Sequence, residues 1–185
     1  MPSAANQLIQ DSFNLIWLLL GLFAAGILEA YLWQTSLLEW ANHPIQREWF
    51  GENKRWRGLL SLPLTHLLAT FCFQVLEHYS PVVPDAWMSF ADVSTLEYGL
   101  LIGFACNLAE LPNSFVKRRL QIPAGAQSSP LFFIFDHIDS STGILLLWWL
   151  YFHFPLHLVI TGFLLSPLLF MGATFIRIRL GLKQA

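Results

Sequence analysis

The chain is poor in charge and carries no excess of either sign. Of its 185 residues only 12% are charged, and 10 Lys plus Arg stand against 12 Asp plus Glu, a formal net charge of −2. Binding to nucleic acid draws on a basic surplus, so no nucleic-acid partner is expected. Cysteine is scarce too. Cys72 and Cys106 each lie inside an apolar run, where small buried hydrophobes are expected rather than a disulfide framework or a metal site. No GxxxxGK[ST] or GxGxxG segment occurs, which leaves a P-loop enzyme without support. The histidines form no HExxH pattern. His153 and His157 are spaced i, i+4 but straddle Pro155, so interfacial packing is expected of them rather than zinc binding.

What the chain has in abundance is apolar sequence. Hydrophobic residues make up 55% of it, and the mean hydropathy is +0.52. Several runs approach the roughly 20 residues needed to cross a bilayer's hydrocarbon core, which excludes a water-soluble globule and predicts a polytopic membrane protein. Strand alternation is absent, so the spans are expected to be helices, which satisfy their own backbone in lipid. Five are drawn, at about Phe13–Trp33, Leu59–Leu76, Leu96–Leu111, Phe132–Phe152 and Leu156–Ile176. The predicted class is therefore an all-α integral membrane protein with about five transmembrane helices, residues 1–185 forming one membrane-embedded domain. Pro167 is expected to kink the last span without ending it. Trp148, Trp149, Tyr151, Phe152 and Phe154 read as an aromatic belt at the outer interface.

The basic residues orient this bundle. All ten fall in three alternate segments: Arg47, Lys54, Arg55 and Arg57; Lys117, Arg118 and Arg119; Arg177, Arg179 and Lys183. The positive-inside rule then places the N-terminus outside and the C-terminus in the cytoplasm, with the loops after spans one and three cytoplasmic. Met1–Ser12 has no Lys or Arg, so the first span is expected to stay as a helix rather than serve as a cleavable signal peptide. The opposite loops carry Glu77, Asp85 and Asp92.

Topology gives each polar residue a depth. Glu29, Asn107, Glu110, Asp136 and Asp139 all fall near the inner ends of their spans. Carboxylates there are costly unless they face a protein interior, water or a cation. Asp136 and Asp139 are spaced i, i+3, as are Asn107 and Glu110, so each pair shares a helical face. Oxygen donors at this density suit magnesium, often shared with substrate phosphates. The plainer alternative for the two aspartates is a pair of helix-start acids complementing the helix dipole. Glu97, toward the outer end of span three, is read as interfacial or structural.

Two basic motifs lie at the same level, Gly51–Gly58 (GENKRWRG) and Ser114–Arg119 (SFVKRR). Taken singly, each is explained by topology or contact with anionic headgroups. Taken with the acids, they give the composition of a metal-assisted phosphate site. His137, between the two aspartates, is within reach of a substrate there.

The three segments GENKRWRG, Ala109–Arg119 (AELPNSFVKRR) and Phe135–Gly143 (FDHIDSSTG) together resemble the CDP-archaeol synthase family, and more distantly the CDP-diacylglycerol synthases of the same cytidylyltransferase superfamily. The resemblance implies a CTP-dependent enzyme that transfers a cytidylyl group to a membrane lipid phosphate. It assigns magnesium to Glu110, Asp136 and Asp139. Lys117 and Arg118 match the basic element, and with Asp136 and Asp139 they are the expected catalytic residues. Lys54 and Arg57, with Asn53 beside them, match the segment that would hold CTP or lipid phosphate. CTP, the lipid phosphate and membrane lipids are thus the expected partners, and the cell membrane with a cytoplasm-facing site the expected location. Glu110 stands where Asp is common, Gln121 where Gly often follows, and His137 where Gln or Arg is usual. The diacylglycerol branch's Lys-Asp pair and His-Gly-Gly segment are absent, which favours an ether-linked lipid over phosphatidic acid. A small ion-coupled transporter using Glu29, Glu97, Asn107 and Glu110 is the competing class, and a midplane site with repeated halves would mark it.

Overall fold

The computed structural model describes residues 4–80, 89–123, 130–179 and 181. Asp85 and Lys183 lie outside them, as do the side chains of His137 and Arg177. Among the described residues six α-helices follow one another: α1 (Ala4–Leu32), the single turn α2 (Arg47–Phe50), α3 (Trp56–Tyr79), α4 (Thr95–Arg119), α5 (Pro130–Leu150) and α6 (Leu156–Arg179). Among the described residues there is no strand, only an isolated bridge between Pro44 and Arg55.

Among the described residues four segments are long and apolar enough to cross a membrane: Ser12–Leu32, Trp56–Tyr79, Thr95–Arg119 and Leu156–Ile176. The fourth expected span, Phe132–Phe152, falls on α5, whose described apolar stretch, Ile138–Leu150, is shorter. The long helices close into a ring in which α1 packs on α3, α3 on α4, α4 on α5, α5 on α6 and α6 back on α1. Leu64, Leu68 and Phe71 of α3 and Phe163, Leu164 and Leu168 of α6 are exposed on the outside. An apolar exterior of this extent fits a bundle solvated by lipid.

Close helix contacts rest on small residues. A Cβ at Gly99 would lie 2.4 Å from Leu67 Cα, and one at Gly103 would lie 2.4 Å from Pro63 Cα. Gly99 and Gly103 are one turn apart on α4, so the pair forms a GxxxG seam along which α3 approaches backbone to backbone. Gly143 repeats the device on α5, where a Cβ would meet the Ala105 carbonyl and the Ala109 methyl, each at 2.5 Å.

Two sequence expectations are corrected here. Trp148 and Phe154 are not belt residues: they are 0% and 3% exposed, stack at 5.2 Å, and Trp148 Nε1 donates to the Tyr98 hydroxyl at 3.1 Å. The turn at His153, with φ of 55°, folds Phe154 back beneath Trp148, while Trp149 and Tyr151 stay exposed. Cys106 is buried as expected, but Cys72 is exposed on α3. α4, which carries the third expected span, is also longer than its apolar run, continuing through Pro112 to Arg119. The SFVKRR motif is therefore helical, which decides the geometry of the site.

Candidate active site

Because α4 continues past Leu111, Glu110, Asn113 and Lys117 recur at i, i+3 and i+7 and line one face. The start of α5 runs antiparallel to them and offers Asp136, Asp139 and Ser140 at i, i+3 and i+4. Asn113 Nδ2 joins the two helices, donating to Asp136 Oδ1 at 2.7 Å and to Asp139 Oδ2 at 2.8 Å. Lys117 forms an ion pair with Asp136. Ser140 Oγ donates to Glu110 Oε1 at 2.5 Å and lies 3.3 Å from Asp139 Oδ1, and Asp139 Oδ1 also accepts from the Ser140 backbone N–H at 2.7 Å. From the segment ahead of α3, Lys54 reaches across to pair with Glu110.

The structure thus gathers five of the expected site residues, Lys54, Glu110, Lys117, Asp136 and Asp139, at one end of the ring. The pairs are partly buried, with Lys117 only 9% exposed, so these cations and carboxylates interact more strongly than exposed surface pairs do. Asn113 and Ser140 also belong to the cluster but were not picked out from sequence, although both fall at helical spacing from residues that were.

The remaining three are placed differently. Asn53 is exposed and lines a cavity next to Lys54. Arg118 is half-buried, and its Nε makes no hydrogen bond among the described residues. Arg57 is 2% exposed and turned away from the carboxylates. Its guanidinium donates to Glu39 Oε2 at 2.7 Å, to the Leu32 carbonyl at 3.0 Å and to the Thr35 carbonyl at 2.8 Å, and lies 4.7 Å from the Trp33 ring centroid. It ties the end of α1 to the start of α3 and so fixes the loop that delivers Asn53 and Lys54. That loop is held further by Arg55, which donates to Asn42 Oδ1 at 2.9 Å, and by Trp49, whose ring meets Phe115 edge-on at 6.1 Å.

The cavity is about 310 Å³ and lies between α1, α3, α4 and this loop. Lys54, Glu110 and Asn107 are on its wall, as are Glu29 of α1 and Trp33 just after that helix. Asn107 Nδ2 donates to the Gly58 carbonyl at 2.9 Å, pinning α4 to α3 beside the cavity. Glu97 does not join: it sits near the other end of α4 and accepts from the Tyr151 hydroxyl. Glu77 is likewise remote, accepting from Trp17 Nε1 at 2.6 Å and from the Phe90 and Ala91 backbone N–H groups.

The donor set of the cluster is oxygen throughout, as a hard cation requires. Among the described residues no group of three Asp, Glu, His or Cys side chains is gathered tightly enough to hold a metal. Magnesium commonly uses only one or two carboxylates together with water and substrate phosphates. The approach of Glu110 and Asp139 to one Ser140 hydroxyl, with Asp136 linked through Asn113, fits an ion of that kind.

Comparison with known proteins bears on the whole chain. The family model described as CarS-like CDP-archaeol synthase matches residues 7–185. A CDP-archaeol synthase of Pyrobaculum calidifontis is 25% identical over 181 residues, covering 97% of this chain and 98% of its own length. No solved structure matches at a significant level.

Proposed function

The chain belongs to the CarS-like CDP-archaeol synthase family, and from that premise we propose that it transfers the cytidylyl group of CTP to an ether-linked isoprenoid glycerol phosphate. The products are a CDP-activated lipid and pyrophosphate. The observation that carries this reading is the joining of Lys54, Lys117, Glu110, Asp136 and Asp139 into one cluster at the end of an apolar bundle.

The lipid phosphate carries about −1.5 to −2 charges near neutral pH, by analogy with other phosphomonoesters, so it is nucleophilic without a dedicated base. One of its oxygens attacks the α-phosphorus of CTP; the bond from that phosphorus to the bridging oxygen of the β-phosphate breaks, and the electron pair leaves with pyrophosphate. Repulsion between the two anions is the main obstacle. Lys54 and Lys117 answer it by exchanging their carboxylate partners for phosphate oxygens, and Arg118 supplies a further cation at the same turn of α4. The exchange releases Glu110 and Asp136, and one or two of the carboxylates Glu110, Asp136 and Asp139, completed by water and phosphate oxygens, would hold magnesium. Such an ion, when bound, would neutralise phosphate charge and polarise the phosphoryl oxygens. Asn113 and Ser140 keep the three carboxylates oriented, so that attacking oxygen, phosphorus and leaving group can be held in line. Arg57 acts through the loop that bears Asn53 and Lys54; direct contact with phosphate would require it to leave Glu39 and two carbonyls.

In this reading α5 also crosses, which makes five spans; the N-terminus faces out, and the cluster faces the cytoplasm, where CTP arrives from water while the lipid tails stay in hydrocarbon. Tail burial is much the same before and after reaction, so selection between isoprenoid and acyl lipids falls to the pocket around the glycerol and first carbons. The test is incubation of the purified protein with magnesium, labelled CTP and competing ether-isoprenoid and diacyl glycerol phosphates. A CDP-lipid is expected, with higher kcat/KM for the ether lipid. A diacyl preference would reassign the lipid and keep cytidylyl transfer, and no product with either would refute the transfer itself.

A further inference from the structure

The cavity behind Lys54 contains a carboxylate that the transfer chemistry does not use. Glu29 of α1 is 8% exposed and stands on the cavity wall. One oxygen is committed: Oε1 accepts from Trp33 Nε1 at 2.6 Å and from the Ser61 hydroxyl. The other is held only loosely: Thr65 Oγ1 donates to it over 3.5 Å but lies 3.0 Å from the Leu62 carbonyl, and one hydroxyl hydrogen serves chiefly its nearer acceptor. Glu29 Oε2 thus has room for a closer donor, and a buried charge is stabilised by one.

The rest of the wall describes what that donor is attached to. Leu59, Leu62 and Ile45 are apolar, and Trp33 supplies an indole held in place by Glu29 and by the Arg57 guanidinium. Lys54 and Glu110 stand on the same wall and belong to the phosphate-binding cluster. An occupant must therefore combine a flat, weakly polar ring bearing an N–H donor with a connection to phosphates. A volume of about 310 Å³ lies at the lower end of small-molecule sites. Of the pyrimidine bases, cytosine presents an exocyclic amine where uracil presents a carbonyl, and a carboxylate accepts from the first and repels the second.

We infer that this cavity receives the nucleobase of the nucleotide substrate, and that Glu29 is its specificity-determining residue, accepting from the exocyclic amine of cytosine. The inference rests on the cytidylyl-transfer reading and adds the residue that chooses CTP over UTP. The local hydrogen bonds make its test directional. In Glu29→Gln, the Trp33 and Ser61 donors hold the amide oxygen at the Oε1 position, so the amide nitrogen must take the Oε2 position. A donor then replaces an acceptor, which suits uracil and opposes cytosine.

The experiment measures equilibrium binding of CTP and UTP to the purified protein, and kcat/KM for each with a fixed lipid phosphate, in wild type and Glu29→Gln. The CTP:UTP ratio is expected to favour CTP in wild type and to fall at least about tenfold in the variant. Thermal unfolding in detergent establishes that the variant is folded. Should it not be, Ile45→Trp, which fills the cavity from the loop side, is expected to raise KM for CTP at least about tenfold more than KM for the lipid. A wild type that binds both nucleotides equally, a Glu29→Gln ratio like that of wild type, or an Ile45→Trp effect confined to the lipid would each overturn the inference. If CTP binds selectively but no CDP-lipid forms, the transfer reading fails and the base pocket stands.

Discussion

Substitution of Gly103 by alanine tests whether the α3–α4 seam holds the site in register. The added Cβ would lie 2.4 Å from Pro63 Cα, 2.5 Å from Pro63 N and 2.8 Å from the Leu62 carbonyl carbon. All three are backbone atoms, so no side-chain rotation relieves the clash. Restoring an ordinary separation of about 3.5 Å requires the helices to part by about 1 Å. Overpacking of this kind costs about 1–3 kcal/mol, against which alanine gains about 1 kcal/mol in helix propensity over glycine. The net expectation is a loss of up to about 2 kcal/mol, lowering the folded-to-unfolded ratio by up to about 30-fold. The same shift would stretch the Asn107 to Gly58 hydrogen bond from 2.9 Å to about 4 Å, beyond bonding range. It would also misplace Glu110 relative to Lys54, and a misplacement of about 1 Å can cost about 100-fold in turnover. Gly26 is the internal control, since nothing lies within 4 Å of its added Cβ, and Gly26→Ala is expected to be neutral or stabilising by up to about 1 kcal/mol. Chemical unfolding in mixed micelles and CDP-lipid formation supply the two readouts. A Gly103→Ala protein as stable and as active as Gly26→Ala would refute the reasoning.

Asp136→Asn and Asp139→Asn are expected to keep the fold while losing most CTP-dependent turnover, and chelation of divalent cations should abolish turnover in wild type; near-normal activity in both variants would remove the metal role. Glu110→Gln should behave in the same way. Cysteines introduced at Lys54 and Arg118 should be labelled from the cytoplasmic side, and one at Asp92 from the opposite side. Labelling of position 54 from outside would reverse the orientation and the site's access to CTP.

The helices were legible because lipid imposes a simple demand: an apolar run long enough to span must satisfy its backbone internally. The acidic pairs were legible for a related reason, since i, i+3 spacing has a fixed meaning once a helix is assumed. The end of α4 was not. An apolar window stops at Leu111, yet Pro112 and the polar turns after it stay helical, and the alignment of Glu110, Asn113 and Lys117 depends on that continuation. Trp148 and Phe154 share the composition of belt aromatics, and only the reversal at His153 separates them from Trp149 and Tyr151. Arg57 matches a segment that the resemblance implies would hold phosphate, and in space it is engaged by Glu39 and by the Leu32 and Thr35 carbonyls at the end of α1 and just beyond. The pairing of Glu29 with Ser61 spans 32 positions, a separation no local pattern encodes. The Gly99–Gly103 spacing stands in the chain, but it does not name α3 as the helix that approaches; the Leu67 and Pro63 backbones do.

The split of the site between α4 and α5 bears on how the protein is made. A chain synthesised from its N-terminus completes α1, α3 and α4 first, and with them Lys54, Glu110, Asn113 and Lys117. Asp136 and Asp139 arrive afterwards on α5, and if α5 is a span, as proposed, they burden its entry into the bilayer. Asn113 and Lys117 are by then in position to receive them, so under the proposed function the residues that face substrate would also act as a landing site for the incoming segment. Biogenesis and catalysis then draw on the same contacts, and a charge-removing change at Lys117 would reduce the yield of inserted protein as well as the rate of the protein that does insert.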